Sequence, residues 1–87
     1  MPRIIVEYKM WLREKIGKEY EELELSPGST LADLVTELVS KYSVLKNIMG
    51  DHGGTGLITL VNGRTVPSNY VLKDGDKVIV LPPVSGG

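Results

Sequence analysis

Val78-Ile79-Val80-Leu81 is the stretch that most limits the fold, an unbroken apolar run between the turn sequence Lys73-Asp74-Gly75-Asp76 and the stiff pair Pro82-Pro83. A strand apolar on both faces belongs inside a sheet, with neighbours on either side. Proline has no amide hydrogen to continue a ladder, so this strand, Lys77 to Leu81, ends at Pro82. Lys73-Asp74-Gly75-Asp76 opens like a calcium loop, but the later ligand positions and the distant Glu are missing. It reads as a tight turn in which Gly75 supplies an unusual φ.

The strands that flank such a centre lie upstream. Ile4, Val6, Tyr8 and Met10 alternate with Arg3, Ile5, Glu7 and Lys9, the period of a strand with one buried face. Trp11 to Lys18 breaks that period and reads as a wide hairpin connection whose apolar members cap the core. Glu19 to Leu25 forms the second strand, with Glu21, Leu23 and Leu25 on one side; its acidity suits an exposed edge, where charge discourages pairing with another chain. Thr30 stands three residues before Asp33, a near relative of the capping box at a helix start. Leu31, Leu34, Val35, Leu38, Val39 and Tyr42 then make a single apolar helix stripe. Val44 to Met49 adds a short turn that packs Val44, Leu45 and Ile48 under the sheet end.

Gly50 to Gly56 is glycine-rich but lacks the Lys-Ser/Thr ending of a phosphate loop and leads into a strand, so it reads as a mobile connector. His52 within it is a solvated loop histidine without a Ser or Cys partner. Leu57 to Val61 is the third strand, Asn62-Gly63 a two-residue hairpin turn, and Arg64 to Val66 a fourth strand cut short by Pro67. Tyr70, Val71 and Leu72 plug the crossover to the last strand. The pattern predicts an α+β domain over residues 1–81, a mixed five-stranded sheet with one main helix packed on one face. The last strand lies parallel to the first, between the two hairpins.

At 87 residues the chain has room for one core. Its 10 basic and 11 acidic side chains are interspersed, which argues against nucleic acid as a partner. No apolar run approaches the roughly 18 residues that cross a bilayer, and Met1-Pro2-Arg3 leads straight into a strand, so the expectation is a soluble cytoplasmic protein without a membrane partner. Without cysteine there is no disulfide and no thiolate for metal binding or catalysis.

What remains is the end. Residues 82–87 read as a flexible tail closing on Gly86-Gly87, and two glycines leave no Cβ beside the terminal carboxylate, so the end fits a slot closed to side chains. Fully extended, it reaches roughly 20 Å at about 3.3–3.6 Å per residue. The ionised Gly87 carboxylate is an oxygen nucleophile. If Val78 and Val80 face the helix with Ile4, Val6, Ile58 and Leu60, then Ile79, Leu81 and Ile5 form an uncovered apolar cluster, the mark of a partner surface.

Leu12-Arg13-Glu14 with Gly17, Ser26-Pro27-Gly28-Ser29-Thr30-Leu31, Val61-Asn62-Gly63, Leu72-Lys73-Asp74-Gly75-Asp76 and the ending Pro82-Pro83-Val84-Ser85-Gly86-Gly87 together resemble the ubiquitin-like β-grasp proteins. More narrowly, nearly the whole chain resembles the small subunit of molybdopterin synthase and its sulfur-carrier relatives. The resemblance implies that an ubiquitin-activating-like adenylyltransferase uses ATP to adenylate Gly87. A sulfur donor then converts it to a thiocarboxylate, with no cofactor bound by the chain itself. It also implies that the large synthase subunit takes the tail, Gly86, Ser85, Val84 and Pro83 with Leu81, Ile79 and Ile5, into contact, and that sulfur passes to a pterin precursor to build a dithiolene. The body offers no catalytic constellation of its own, so any activity belongs to the complex. Val61-Asn62-Gly63 equally suits a thiamine-type sulfur carrier. The same activated glycine, joined to a lysine amine, makes a ubiquitin-like modifier. A passive interaction domain that ignores its tail is the third alternative.

Overall fold

The alternation of apolar residues in the first strand sets the two sides of the sheet. The computed structural model describes residues 1–49 and 56–83. In β1, Arg3–Tyr8, the side chains of Ile4, Val6 and Tyr8 are fully buried while Ile5 and Glu7 are half-buried on the opposite side. β2, Tyr20–Glu24, pairs antiparallel with β1, and β4, Lys77–Leu81, lies on the other side of β1 and parallel to it. β3, Ile58–Val61, completes the order β2-β1-β4-β3 by pairing antiparallel with β4. The continuous apolar run thus occupies an interior position beside the first strand, the mixed arrangement of a β-grasp fold.

Among the described residues the sheet has four strands and not five. The segment expected as a strand from Arg64 to Val66 is reduced to one isolated bridge, Val61 to Arg64, after the turn at Asn62 (φ 51°) and Gly63 (φ 86°). Val66 turns toward the core and Pro67 follows, so the chain has neither the direction nor the donors to extend the pairing. The expected hairpin connection after β1 is also corrected. Residues Trp11–Ile16 form a helix, α1, because all six are compatible with helix and Leu12 and Ile16, one turn apart, both face the core. Gly17, at φ 89°, ends it by donating its N–H to Arg13 O at 3.0 Å.

α2, Leu31–Lys41, begins as its sequence predicts. Asp33 N–H donates to Thr30 Oγ1 at 3.2 Å, and Thr30 N–H donates to Asp33 Oδ2 at 2.9 Å, a complete capping box. Leu31, Leu34 and Leu38 are buried along its stripe, each contributing about 1.5–3 kcal/mol by leaving water. α3, Ser43–Met49, follows and buries Leu45, with Val44 half-covered; the side chain of Ile48 lies outside the described residues. Leu12, Leu34, Leu38 and Leu45, from all three helices, meet Ile4, Val6, Val78 and Val80 in one cluster, so the helices share one side of the sheet. Of the three expected plugs Leu72 is buried and Tyr70 partly so, whereas Val71 is 49% exposed.

The turn before β4 is laced to the start of β1: Arg3 N–H donates to Asp74 Oδ1 at 2.9 Å and Gly75 N–H to Arg3 O at 2.9 Å. Gly75 takes φ 88°, as the turn requires. No helix among the described residues is long and apolar enough to cross a membrane. The readings of the Gly50 to Gly56 loop and of His52 lie outside the described residues, Gly56 apart.

Candidate functional site

Because the three helices share one side, the other side of the sheet is uncovered among the described residues. Ile79 and Leu81 of β4 point there, half-buried, and so does Ile5 of β1. The three body residues that the sequence assigns to a contact surface thus share one face, but Ile5 stands beside Lys77 at the start of β4, away from Leu81. The structure also adds two that the sequence places in the core. Ile58 is 38% exposed and Leu60 half-buried, while Leu57 and Val61 are buried in their stead. β3 is out of phase with the expected register by one residue, which sends its whole apolar set to the other face. Leu57-Ile58-Thr59-Leu60-Val61 is apolar in both phases apart from Thr59, so alternation alone does not choose between them.

The register makes the surface a compact block. Leu60 stands opposite Ile79, and Ile58 opposite Leu81. Across the parallel pair, Glu7 stands beside Ile79, and Tyr20 of β2 beside Glu7. One row thus reads Tyr20, Glu7, Ile79, Leu60 across all four strands. The carboxylate in that row is matched: Glu7 Oε1 meets Lys77 Nζ at 2.8 Å, and Oε2 meets Lys9 Nζ. Hydrogen bonds from Lys77 and Lys9 outweigh the opposing effect of burial and hold the Glu7 carboxyl at about 2.

The block ends where the tail begins. Lys9 N–H donates to Val80 O at 3.1 Å, which fixes the far end of β4 against the chain leaving β1. Pro82 is buried and Pro83 half-buried. Two consecutive residues without an amide hydrogen end the ladder at Leu81. Val84, Ser85, Gly86 and Gly87 lie outside the described residues.

A profile of the ThiS family matches residues 6–87, from the middle of β1 through the final glycine. The chain belongs to the ThiS family. A molybdopterin synthase sulfur carrier subunit from Chlamydomonas reinhardtii is 32% identical to this ThiS-family chain over 76 residues, covering 86% of this chain and 87% of its own. Among solved structures, a Pyrococcus furiosus protein described as a candidate molybdopterin converting factor subunit 1 superposes with a TM-score of 0.84. It is 33% identical and covers 97% of this chain and 100% of its own. The small archaeal modifier protein 1 of Methanosarcina acetivorans is 30% identical with a TM-score of 0.78, covering 100% of this chain and 98% of its own. These likenesses fix the fold of this ThiS-family member as ubiquitin-like β-grasp.

Proposed function

We propose that this chain is the sulfur carrier subunit of a molybdopterin synthase, with the Gly87 carboxyl as the carrying group. The observation that supports it best is the central strand β4 running straight into Pro82-Pro83, in a chain that the family profile matches through residue 87. A carboxylate has no good leaving group. In the reading, a Gly87 oxygen attacks the α-phosphorus of ATP, pyrophosphate leaves, and an acyl-adenylate results. Hydrosulfide released by the donor adds to that carbonyl, the C–O bond to AMP breaks, and AMP departs to leave a thiocarboxylate. The sheet supplies a rigid base from which the end reaches a partner's active site, and Gly86 and Gly87 keep the path free of side chains. Ile58, Leu60, Ile79 and Leu81 form the docking surface beside the tail root, with Ile5 at its far edge beside Lys77, and a large synthase subunit receives the tail and moves its sulfur to a pterin precursor.

The test is intact mass after incubation with an activating enzyme, ATP and a sulfur donor. One oxygen exchanged for sulfur at Gly87, followed by dithiolene formation when the copurifying large subunit is added, supports the reading; an unchanged mass with an activator shown to be competent on another carrier overturns it.

The likeness to the Methanosarcina modifier over the full chain favours a second reading, in which the same acyl-adenylate is passed to a lysine amine. Lys77 is the last basic residue, so trypsin leaves residues 78–87 on the modified lysine, and finding that remnant on cellular proteins identifies this use.

A further inference from the structure

The uncovered face carries charge where a purely apolar contact has no use for it. Glu7 sits in the middle row of the sheet between Tyr20 and Ile79, with Leu60 beyond Ile79. Each of its carboxylate oxygens is taken by one ammonium, Oε1 by Lys77 at 2.8 Å and Oε2 by Lys9. The acid is largely covered, its side chain 13% exposed, whereas Lys9 and Lys77 keep 44% and 51%. The triad sums to one positive charge. Each ammonium has three donors and so keeps some after meeting Glu7. A counter-surface laid on Ile79, Leu60 and Leu81 strips water from these lysines. If it is all apolar it leaves their excess charge unpaired, and if it is basic it adds repulsion.

We infer that the protein receiving the Gly87 tail sets an Asp or Glu side chain over Lys9 and Lys77, inside the apolar contact made by Ile79, Leu60 and Leu81. The inference rests on the carrier reading for the existence of a tail-receiving protein and adds the chemistry by which that protein is chosen. The triad has the position of a specificity element. It lies within the face, next to the apolar block, and Lys9 is tied through its own N–H to Val80 near the tail root.

The experiment measures binding of the full chain to its copurified large subunit, at low and high salt. The variants are Lys9→Gln with Lys77→Gln, Lys9→Arg with Lys77→Arg, and Glu7→Gln, each compared with the parent chain by thermal unfolding. The double glutamine variant is expected to bind about tenfold more weakly or worse, and to lose most of the salt dependence. The arginine pair keeps the binding. Glu7→Gln tightens it by freeing both ammoniums for the partner. Parent-like affinity of the glutamine pair overturns the inference, and so does weakened binding of Glu7→Gln with the fold intact. Self-association through the acidic β2 edge that disappears in the glutamine pair while partner binding persists also overturns it. Parent binding untouched by the lysine pair removes this inference alone, whereas absence of any parent complex and of thiocarboxylate removes the carrier reading with it.

Discussion

Tyr8 and Tyr42 meet edge to face, ring centroids 5.9 Å apart and planes at 82°, and both hydroxyls donate to the same oxygen, Glu21 Oε2, at 2.5 Å. Glu21 Oε1 accepts from Lys41 Nζ at 2.6 Å and lies 3.7 Å from Lys18 Nζ. Both ammoniums also stand over the Tyr42 ring, at 5.8 Å for Lys18 and 5.4 Å for Lys41. One side chain of the acidic edge strand thus serves as a clasp between β1, β2 and the end of α2.

Replacing Glu21 with Gln is expected to cost about 1.5–3 kcal/mol at neutral pH, the range for hydrogen bonds to a charged group. Burial pushes the Glu21 carboxyl upward, but the donors on Lys41, Tyr42 and Tyr8 outweigh it and hold the group at about 2, below its ordinary 4.5. A depressed carboxyl stabilises the fold fully above about 4.5, and that contribution fades as pH falls through about 2. Urea unfolding of the parent and Glu21→Gln across this window should show the gap closing on the acid side. A gap of constant width contradicts the assignment.

Asn62 is predicted to be more sensitive to Ala than to Gly. Its Nδ2 donates to Asp76 Oδ1 at 2.8 Å, and its Oδ1 accepts from Lys77 N–H at 3.0 Å. Both substitutions lose these bonds, but only Ala must also hold φ 51° with a Cβ in place. The Ala variant should unfold about 1 kcal/mol more easily than the Gly variant. Equal melting temperatures would show that the turn gains nothing from the left-handed tolerance of its first residue.

Ile58→Ser tests the contact surface at a position outside the core. Ile58 is 38% exposed opposite Leu81, so its loss should change stability by no more than about 1 kcal/mol. Affinity for the tail-receiving protein should fall roughly tenfold, as for an apolar anchor at an interface. Parallel measurement of unfolding and binding separates the two effects, and full affinity removes β3 from the docking surface.

Gly87→Ala places a methyl group beside the reacting carbonyl. Adenylation, followed by pyrophosphate release, should slow by roughly tenfold or more, because small displacements of a reacting group are costly. The unfolding midpoint should stay unchanged. Parent-like pyrophosphate release contradicts a slot closed to side chains.

Most of the architecture was legible wherever one physical signal stood unopposed. The stripe from Leu31 to Tyr42, the Thr30–Asp33 cap and the apolar run of β4 each had one sensible reading, and each formed. Sequence reasoning failed where two signals competed. Trp11 to Ile16 is too short to display two helical turns, so its helix was hidden in the connection between β1 and β2. β3 is apolar on both faces, which concealed that Ile58 and Leu60 belong with Ile79 and Leu81. The partnership of Glu7 with Lys9 and Lys77 was open to the rule that residues two apart on a strand share a face. That rule places Glu7 and Lys9 together, but Lys77 joins them only through the parallel register with β1.

That parallel register has a temporal side. A chain made from its first residue onward produces β1, β2, all three helices and β3 before the strand that separates β1 from β3 exists. Until Lys77 to Leu81 have been added, the β1–β2 pair and β3 lack the strand that hydrogen-bonds to both. The sheet is therefore completed only by the last strand before the tail, so a partner that recognises the finished sheet does not meet chains broken off before Lys77–Leu81.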